Sequence, residues 1–442
     1  MIKGWVVIIG IIGAFIIGIL GSGNVISIKS NGPINVGDTA WLLTASALVL
    51  LMTPGLSFFY GGMVRAKNVI STMLQSIIAM GVISIVWLIV GFSIAFGDSI
   101  GGAGLFGNPF TFFMLRGVTG ATHPDLAPTI PLMLFAIFQM KFAIITPALV
   151  TGAFAERVRF SAYLLFLVLF SIFIYSPLAH WVWHPHGFLR GWGVLDFAGG
   201  TVVHISAGFA ALAAALVLGR RNGMSSGESY APTNIPFVLL GTGMLWFGWF
   251  GFNAGSALGA NEISVLAFIN TNTASATAML TWILYDTLRG KKPSALGACV
   301  AAVVGLVAIT PAAGYVPVAA SIVIGALSSL ASKLVIHLRT KTEIDDTLDV
   351  FPCHGVGGIV GMILTGVFAS TIANPNGANG LLYGGFRLFG YHMLALAIVA
   401  CFSFFGSYIL FKIVNVIIPL RVSVDDEEAG LDLSQHGETL SI

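Results

Sequence analysis

Eleven stretches of mostly apolar residues, separated by short loops that hold most of the charges, constrain this chain more than any single motif does. They fall near 39–62, 70–96, 129–155, 160–185, 197–219, 235–258, 263–288, 294–310, 312–337, 350–371 and 388–418. A helix of about 20 residues rises about 1.5 Å per residue and so crosses a hydrocarbon core of roughly 30 Å. Within lipid every backbone N–H and C=O must be satisfied inside the protein, so the expected fold is an all-α polytopic membrane protein with eleven transmembrane helices. Composition excludes the alternatives: 57% of the 442 residues are hydrophobic and only 9% charged, unlike a soluble domain. A net charge of +2, spread over short loops, offers no face for nucleic acid. Cys299, Cys353 and Cys401 lie in apolar segments without metal-ligand or disulfide spacing and read as small core hydrophobes.

Residues 1–22 run from Met1-Ile-Lys3 through an apolar stretch, Gly4 to Leu20, to Gly-Ser-Gly. That is the order of a secretory signal peptide, and a retained first helix has the same look. The transmembrane domain is then expected over 38–420, with a cytoplasmic tail over 421–442. Alternate loops hold Arg65 and Lys67, Arg157 and Arg159, Arg220 and Arg221, Arg289 with Lys291 and Lys292, Arg339 and Lys341, and Arg421. These mark the cytoplasmic side of a plasma-membrane protein, with the mature N-terminus outside and the C-terminus inside. Eleven spans also divide into five, five of opposite orientation, and one more, the plan of an inverted repeat.

Two histidines sit inside spans. His204 follows Asp196 in Asp196-Phe-Ala-Gly-Gly-Thr-Val-Val-His204, and His354 follows Asp349 in Asp349-Val-Phe-Pro-Cys-His354. They fall in the fifth and tenth spans, matching places in the two halves. If both stretches are helical, His204 lies roughly 12 Å below Asp196 and His354 roughly 7 Å above Asp349, so both approach the midplane. An imidazole in a spanning helix is costly and points to a partner or a pathway.

These residues resemble the ammonium transporters of the Amt/Mep/Rh superfamily, the Amt branch most closely, from about Asp38 to Gly437. The resemblance rests on the Asp196–His204 stretch, Trp249-Phe-Gly-Phe252-Asn-Ala-Gly-Ser256, Phe138-Gln-Met-Lys-Phe142, Ala155-Glu-Arg157, Thr310-Pro-Ala-Ala-Gly314-Tyr and Gly430-Leu-Asp-Leu-Ser-Gln-His-Gly-Glu438. It implies ammonium recruitment at an outer vestibule by Phe138, Phe142, Trp183 and Ser256, a gate of Phe142 and Phe252, and a pore lined by His204 and His354. Asp196 would support the vestibule and its deprotonation chemistry. The resemblance further implies a homotrimer in the lipid bilayer and a PII-type signalling partner at the cytoplasmic face. No cofactor and no catalytic residue are implied.

Physical chemistry agrees with those roles. A small cation gains about 0.5–2 kcal/mol over each aromatic face, and a serine hydroxyl accepts one of its protons. An unpaired charge in a low-dielectric interior costs several kcal/mol, a cost ammonium avoids by giving up a proton and potassium cannot avoid. Two adjacent imidazoles each hold one donor and one acceptor and make a short proton relay. Plainer readings stand beside each role: the histidines as satisfied core groups, the aromatics as ordinary packing, Asp196 as a helix N-cap.

His180, His184 and His186 lie within seven residues, yet no cysteine or carboxylate completes a metal set, and Pro185 breaks helical spacing. The expectation is a packed His180 and a solvated loop for the other two. Lys141 is a charge in a spanning helix where the family usually has none, and a cation near Phe142 would raise the cost of ammonium entry. The acidic run Asp425-Asp-Glu-Glu428 reads as solvated tail or, by resemblance, as regulatory surface. Three function classes follow: an ammonium transporter, an ammonium receptor that conducts little, and an intramembrane enzyme, which lacks a nucleophile motif.

Overall fold

The computed structural model describes residue 13 and residues 33–222 and 231–440. The signal-peptide reading of residues 1–22 therefore lies outside the described residues. Among the described residues ten helices are long and apolar enough to cross a membrane: α1 Val36–Met63, α2 Ala66–Phe96, α3 Leu132–Phe154, α4 Phe160–Gly191, α5 Gly200–Leu218, α6 Ile235–Gly255, α7 Glu262–Leu288, α9 Val318–Arg339, α10 Phe351–Phe368 and α11 Phe386–Ile417. The expected span at 294–310 is a shorter helix, α8 Ala295–Ile309, which ends just before Pro311 and packs against α7 and α9. Its 15 residues rise only about 22 Å. No strand occurs among the described residues.

Local chemistry sets where the helices start. Asn35 accepts from Asp38 N–H at 3.1 Å, Asn234 from Phe237 N–H at 3.0 Å ahead of Pro236, and Ser294 from Gly297 N–H at 3.1 Å. Asn261 and Ser264 cap α7 reciprocally. Small residues then set how closely the helices approach. A Cβ on Gly241 of α6 would stand 2.4 Å from Phe59 N of α1, so those two backbones lie in contact, the packing mode that lipid favours. Cys299 and Cys353 are buried as expected, but Cys401 is exposed, on the outward face of α11.

The arginine-rich ends of the helices are tied by a buried ionic cluster. Glu156 accepts from Arg65 N–H at 2.7 Å, from Arg65 Nε at 2.9 Å and from Arg221 at 3.1 Å, while Asp345 accepts from Arg221 Nε at 2.9 Å. Arg157 is wholly buried and donates to Ala153 O and Asp345 O, and burial pulls its guanidinium down to about 10 against the opposing Asp345 charge.

The tail folds back onto this face as α12 Val424–Ala429 and α13 Leu431–His436. Asp432 accepts from Ile70 N–H at 3.0 Å and Ser71 N–H at 2.7 Å, capping the start of α2, and Asn68 Oδ1 accepts from Leu431 N–H at 2.8 Å. Glu427 is buried against Arg421 at 2.8 Å and accepts from Asn222 N–H at 2.7 Å. Two of its acids are thus internal ligands, so the tail is docked rather than wholly solvated.

Candidate functional site

The site begins at the loop between α4 and α5. Asp196 Oδ1 accepts from Gly199 N–H at 2.9 Å and Gly200 N–H at 2.6 Å, and Oδ2 from Thr201 N–H at 2.7 Å and from the Thr201 hydroxyl. Burial raises the Asp196 carboxyl above its usual range, and those four bonds to its ionised form oppose the rise. Asp196 therefore caps the start of α5 with its side chain, while Gly199 holds the N-cap position, and it also lines a cavity. Gly199 completes the turn at φ +112°, a backbone region closed to most side chains.

From this cap α5 opens with a wide turn over Gly200–Ile205 that carries His204, and α10 opens with the same kind of turn over Phe351–Val356 that carries His354. The matching cap in the second half is Asp346, which accepts from Val350 N–H at 3.1 Å and Phe351 N–H at 2.7 Å. This corrects the sequence expectation, which paired His354 with Asp349. Asp349 instead holds Arg339 at 2.7 Å. The signal was present in the spacing: Asp196 precedes His204 by eight residues, and Asp346 precedes His354 by eight.

The two imidazoles meet. His354 Nδ1 lies 3.3 Å from His204 Nδ1, with the rings 5.4 Å apart at 29°, and both are buried. One Nδ1 donates and the other accepts, so the roles of the two rings exchange only when a proton is taken up at the Nε2 of the donating ring, the shared proton crosses, and a proton is released from the Nε2 of the other ring. The His204 ring is stacked at 5.4 Å on Trp249, whose Nε1–H donates to Thr310 Oγ1 at 2.9 Å. His204 Nε2 is buried with no hydrogen-bond partner among the described residues.

Beside the histidines, Phe142 and Phe252 pack with ring centroids 4.2 Å apart. Phe252 lies 6.0 Å from the His204 ring, so the phenyl pair and the histidine pair are contiguous. Above the phenyl pair sits a cavity of about 210 Å³ whose wall includes Phe142, Trp183, Ser256 and Asp196, with Gln139, Asp125, Arg190 and Tyr315. Ser256 donates to Phe252 O at 2.8 Å, leaving its oxygen as an acceptor toward the cavity. Trp183 stands edge-on to Phe142 at 5.8 Å and donates to Asp196 O at 3.2 Å.

Phe138 departs from expectation: fully buried behind Phe142 at 4.9 Å, it is not in the cavity wall. Lys141 is half-buried and also absent from that wall. His180 is packed, its Nδ1 3.0 Å from Ala95 O, and His184 is buried too, stacked on His180 at 4.3 Å, rather than solvated. Among the described residues no group of three His, Cys, Asp or Glu could hold a metal ion. Sequence reasoning gave no role to Asp346, Gln139, Thr310 or His392.

The profile of the Ammonium Transporter Family matches residues 40–440. The chain is 47% identical to an ammonium transporter of Bacillus subtilis over 406 residues, covering 91% of this chain and 98% of the relative. It is 46% identical to an ammonium transporter of Aquifex aeolicus, covering 92% and 94% of the two chains. Its fold is similar to the crystal structure of Saccharomyces cerevisiae Mep2, with a TM-score of 0.83, 35% identity and coverage of 90% and 89%. It is also similar to a solved structure titled as a sensor Amt protein, with a TM-score of 0.81, 30% identity and coverage of 90% and 98%.

Proposed function

The chain belongs to the ammonium transporter family, and from that premise we propose that it carries ammonium inward through the paired histidines. Ammonium is drawn from outside into the cavity, where the faces of Phe142 and Trp183 and the Ser256 oxygen replace part of its hydration. A proton leaves there, with Asp196 shaping the field, and ammonia passes Phe142 and Phe252 when their rings part. The proton moves separately along the His204–His354 pair, and ammonium re-forms in the cytoplasm, so uptake carries net charge. Potassium has no proton to give up and meets the full cost of desolvation.

The observation that carries this reading is the unbroken line of groups from the aromatic cavity through the phenyl pair to two imidazoles bridged at 3.3 Å. The resemblance extends the reading to eleven spans in an inverted repeat, a homotrimer with one pore per subunit, a cytoplasmic C-terminus and a PII-type partner on that face. A second reading, an ammonium receptor with little conduction, is favoured by the likeness to the sensor Amt protein. Ammonium-evoked current in proteoliposomes, with a potassium control, separates the two. A current selective for ammonium supports transport, and silence with ammonium binding retained supports the receptor.

A further inference from the structure

The loop that carries Asp196 is tied down at three consecutive residues by three different elements. Leu195 N–H donates to His392 Nε2 in α11 at 3.0 Å, Asp196 O accepts from Trp183 Nε1 in α4 at 3.2 Å, and Phe197 N–H donates to Pro311 O beyond α8 at 3.1 Å. Only the first of these uses a side chain outside the cavity wall. His392 is completely buried, and its other nitrogen, Nδ1, lies 3.0 Å from Met362 O in α10.

Those two partners fix the state of the ring. A backbone carbonyl can only accept, so Nδ1 carries the hydrogen. A backbone N–H can only donate, so Nε2 presents its lone pair. The neutral imidazole therefore acts as a strut of fixed length with a donor at one end and an acceptor at the other, joining α10 to the residue before Asp196. The surroundings hold it in place: a Cβ on Gly366 would stand 3.3 Å from His392 Cβ and Cγ, so the glycine leaves room for the ring to sit against α10.

We infer that His392 is a positioning residue for Asp196, setting where that carboxylate meets the outer cavity through its bond to Leu195 N–H. The inference rests on the reading above in which Asp196 serves the cavity. His392 itself touches neither the cavity nor the histidine pair. Glutamine can reproduce the strut, its amide N–H donating to Met362 O and its Oε1 accepting from Leu195. Leucine cannot, and it would strand Leu195 N–H in a buried site, whereas Met362 O keeps its place in the α10 helical ladder.

The test uses the reconstituted full chain as wild type, His392→Gln, His392→Leu and Asp196→Ala, reading ammonium-evoked current against concentration and amide exchange over residues 192–199. His392→Leu should raise half-saturating ammonium about tenfold, the scale of one lost buried hydrogen bond, with maximal current changed less than twofold. The Leu195 amide should exchange faster in that variant, and His392→Gln should restore both properties. Should His392→Leu fail to fold, His392→Asn, too short to span both partners, is expected to show the same rise. An unchanged half-saturation in His392→Leu, or equal losses of maximal current in the Gln and Leu variants, overturns the inference. Wild-type current in Asp196→Ala would instead remove the reading it rests on.

Discussion

His204 and His354 stand with Nδ1 atoms 3.3 Å apart because Gly208, one turn beyond His204, lets α5 lie backbone to backbone against Gly355, the residue after His354. A Cβ on Gly208 would fall 2.2 Å from Gly355 N and 2.3 Å from Gly355 Cα, atoms that cannot swing aside. Gly208→Ala should therefore part the two turns, lowering stability by about 1–3 kcal/mol through overpacking and abolishing the current. Thermal unfolding in detergent and proteoliposome current check this. Wild-type values for both would show that the pair is not held by that contact.

Asp346 gives a pH dependence with a definite sign. Burial, with Asp349 nearby, pushes its carboxyl up to about 7, against about 3.9 in an unfolded chain. Between those values the folded protein holds a proton that the unfolded chain has released, so this group makes stability fall as pH rises from about 4 to about 7. Asp346→Asn keeps one acceptor oxygen, enough for one of the N–H groups of Val350 and Phe351, and removes the titration. The melting temperature of that variant should vary less with pH across the window than that of wild type, and a parallel pair of profiles would contradict the assignment.

Lys141 should matter little to transport. It shares a half-buried stripe of α3 with Met133 and Ile137, one helical step from Phe142 and so about 100° around the axis from it. Lys141→Met is expected to leave half-saturating ammonium within about twofold of wild type, since its charge is outside the cavity wall. A several-fold gain in apparent affinity would mean that its field reaches the cavity.

The docked tail predicts a change in protection. Asp432→Ala removes a side-chain cap from two N–H groups of α2, a loss of about 1 kcal/mol. Trypsin should then cut after Arg421 about fivefold faster, the equivalent of that energy if the tail must detach before cleavage. An unchanged rate would place the docking energy elsewhere, in Glu427 or Asn68.

Much of this was legible in the chain because membrane burial writes a coarse and strong signal. Apolar runs marked the ten helices long enough to cross a membrane and the shorter α8 among the described residues, and the Asp196–His204 stretch identified one histidine of the pair and its capping aspartate. What escaped depends on contacts between distant segments. Asp349 begins the apolar run and so reads as the partner of His354, whereas the wide turn of α10 is capped from one turn earlier, by Asp346. His392 carried no motif, and only the fold brings it to Leu195, 197 positions away in sequence. Phe138 lies one turn from Phe142, but Phe135, Gln139 and Phe142 line the cavity from positions on either side of it, so direction around α3 and not depth keeps Phe138 out, and the apolar pattern of so buried a helix does not give that direction.

The most direct test of the histidine relay is the ammonium-evoked current of His204→Ala/His354→Ala in proteoliposomes, measured beside wild type and with potassium in place of ammonium. Removing both imidazoles takes away the proposed proton carriers but leaves the aromatic cavity and the phenyl pair. The account predicts that the ammonium current vanishes or that selectivity over potassium is lost. A double variant with wild-type current and wild-type selectivity would contradict it.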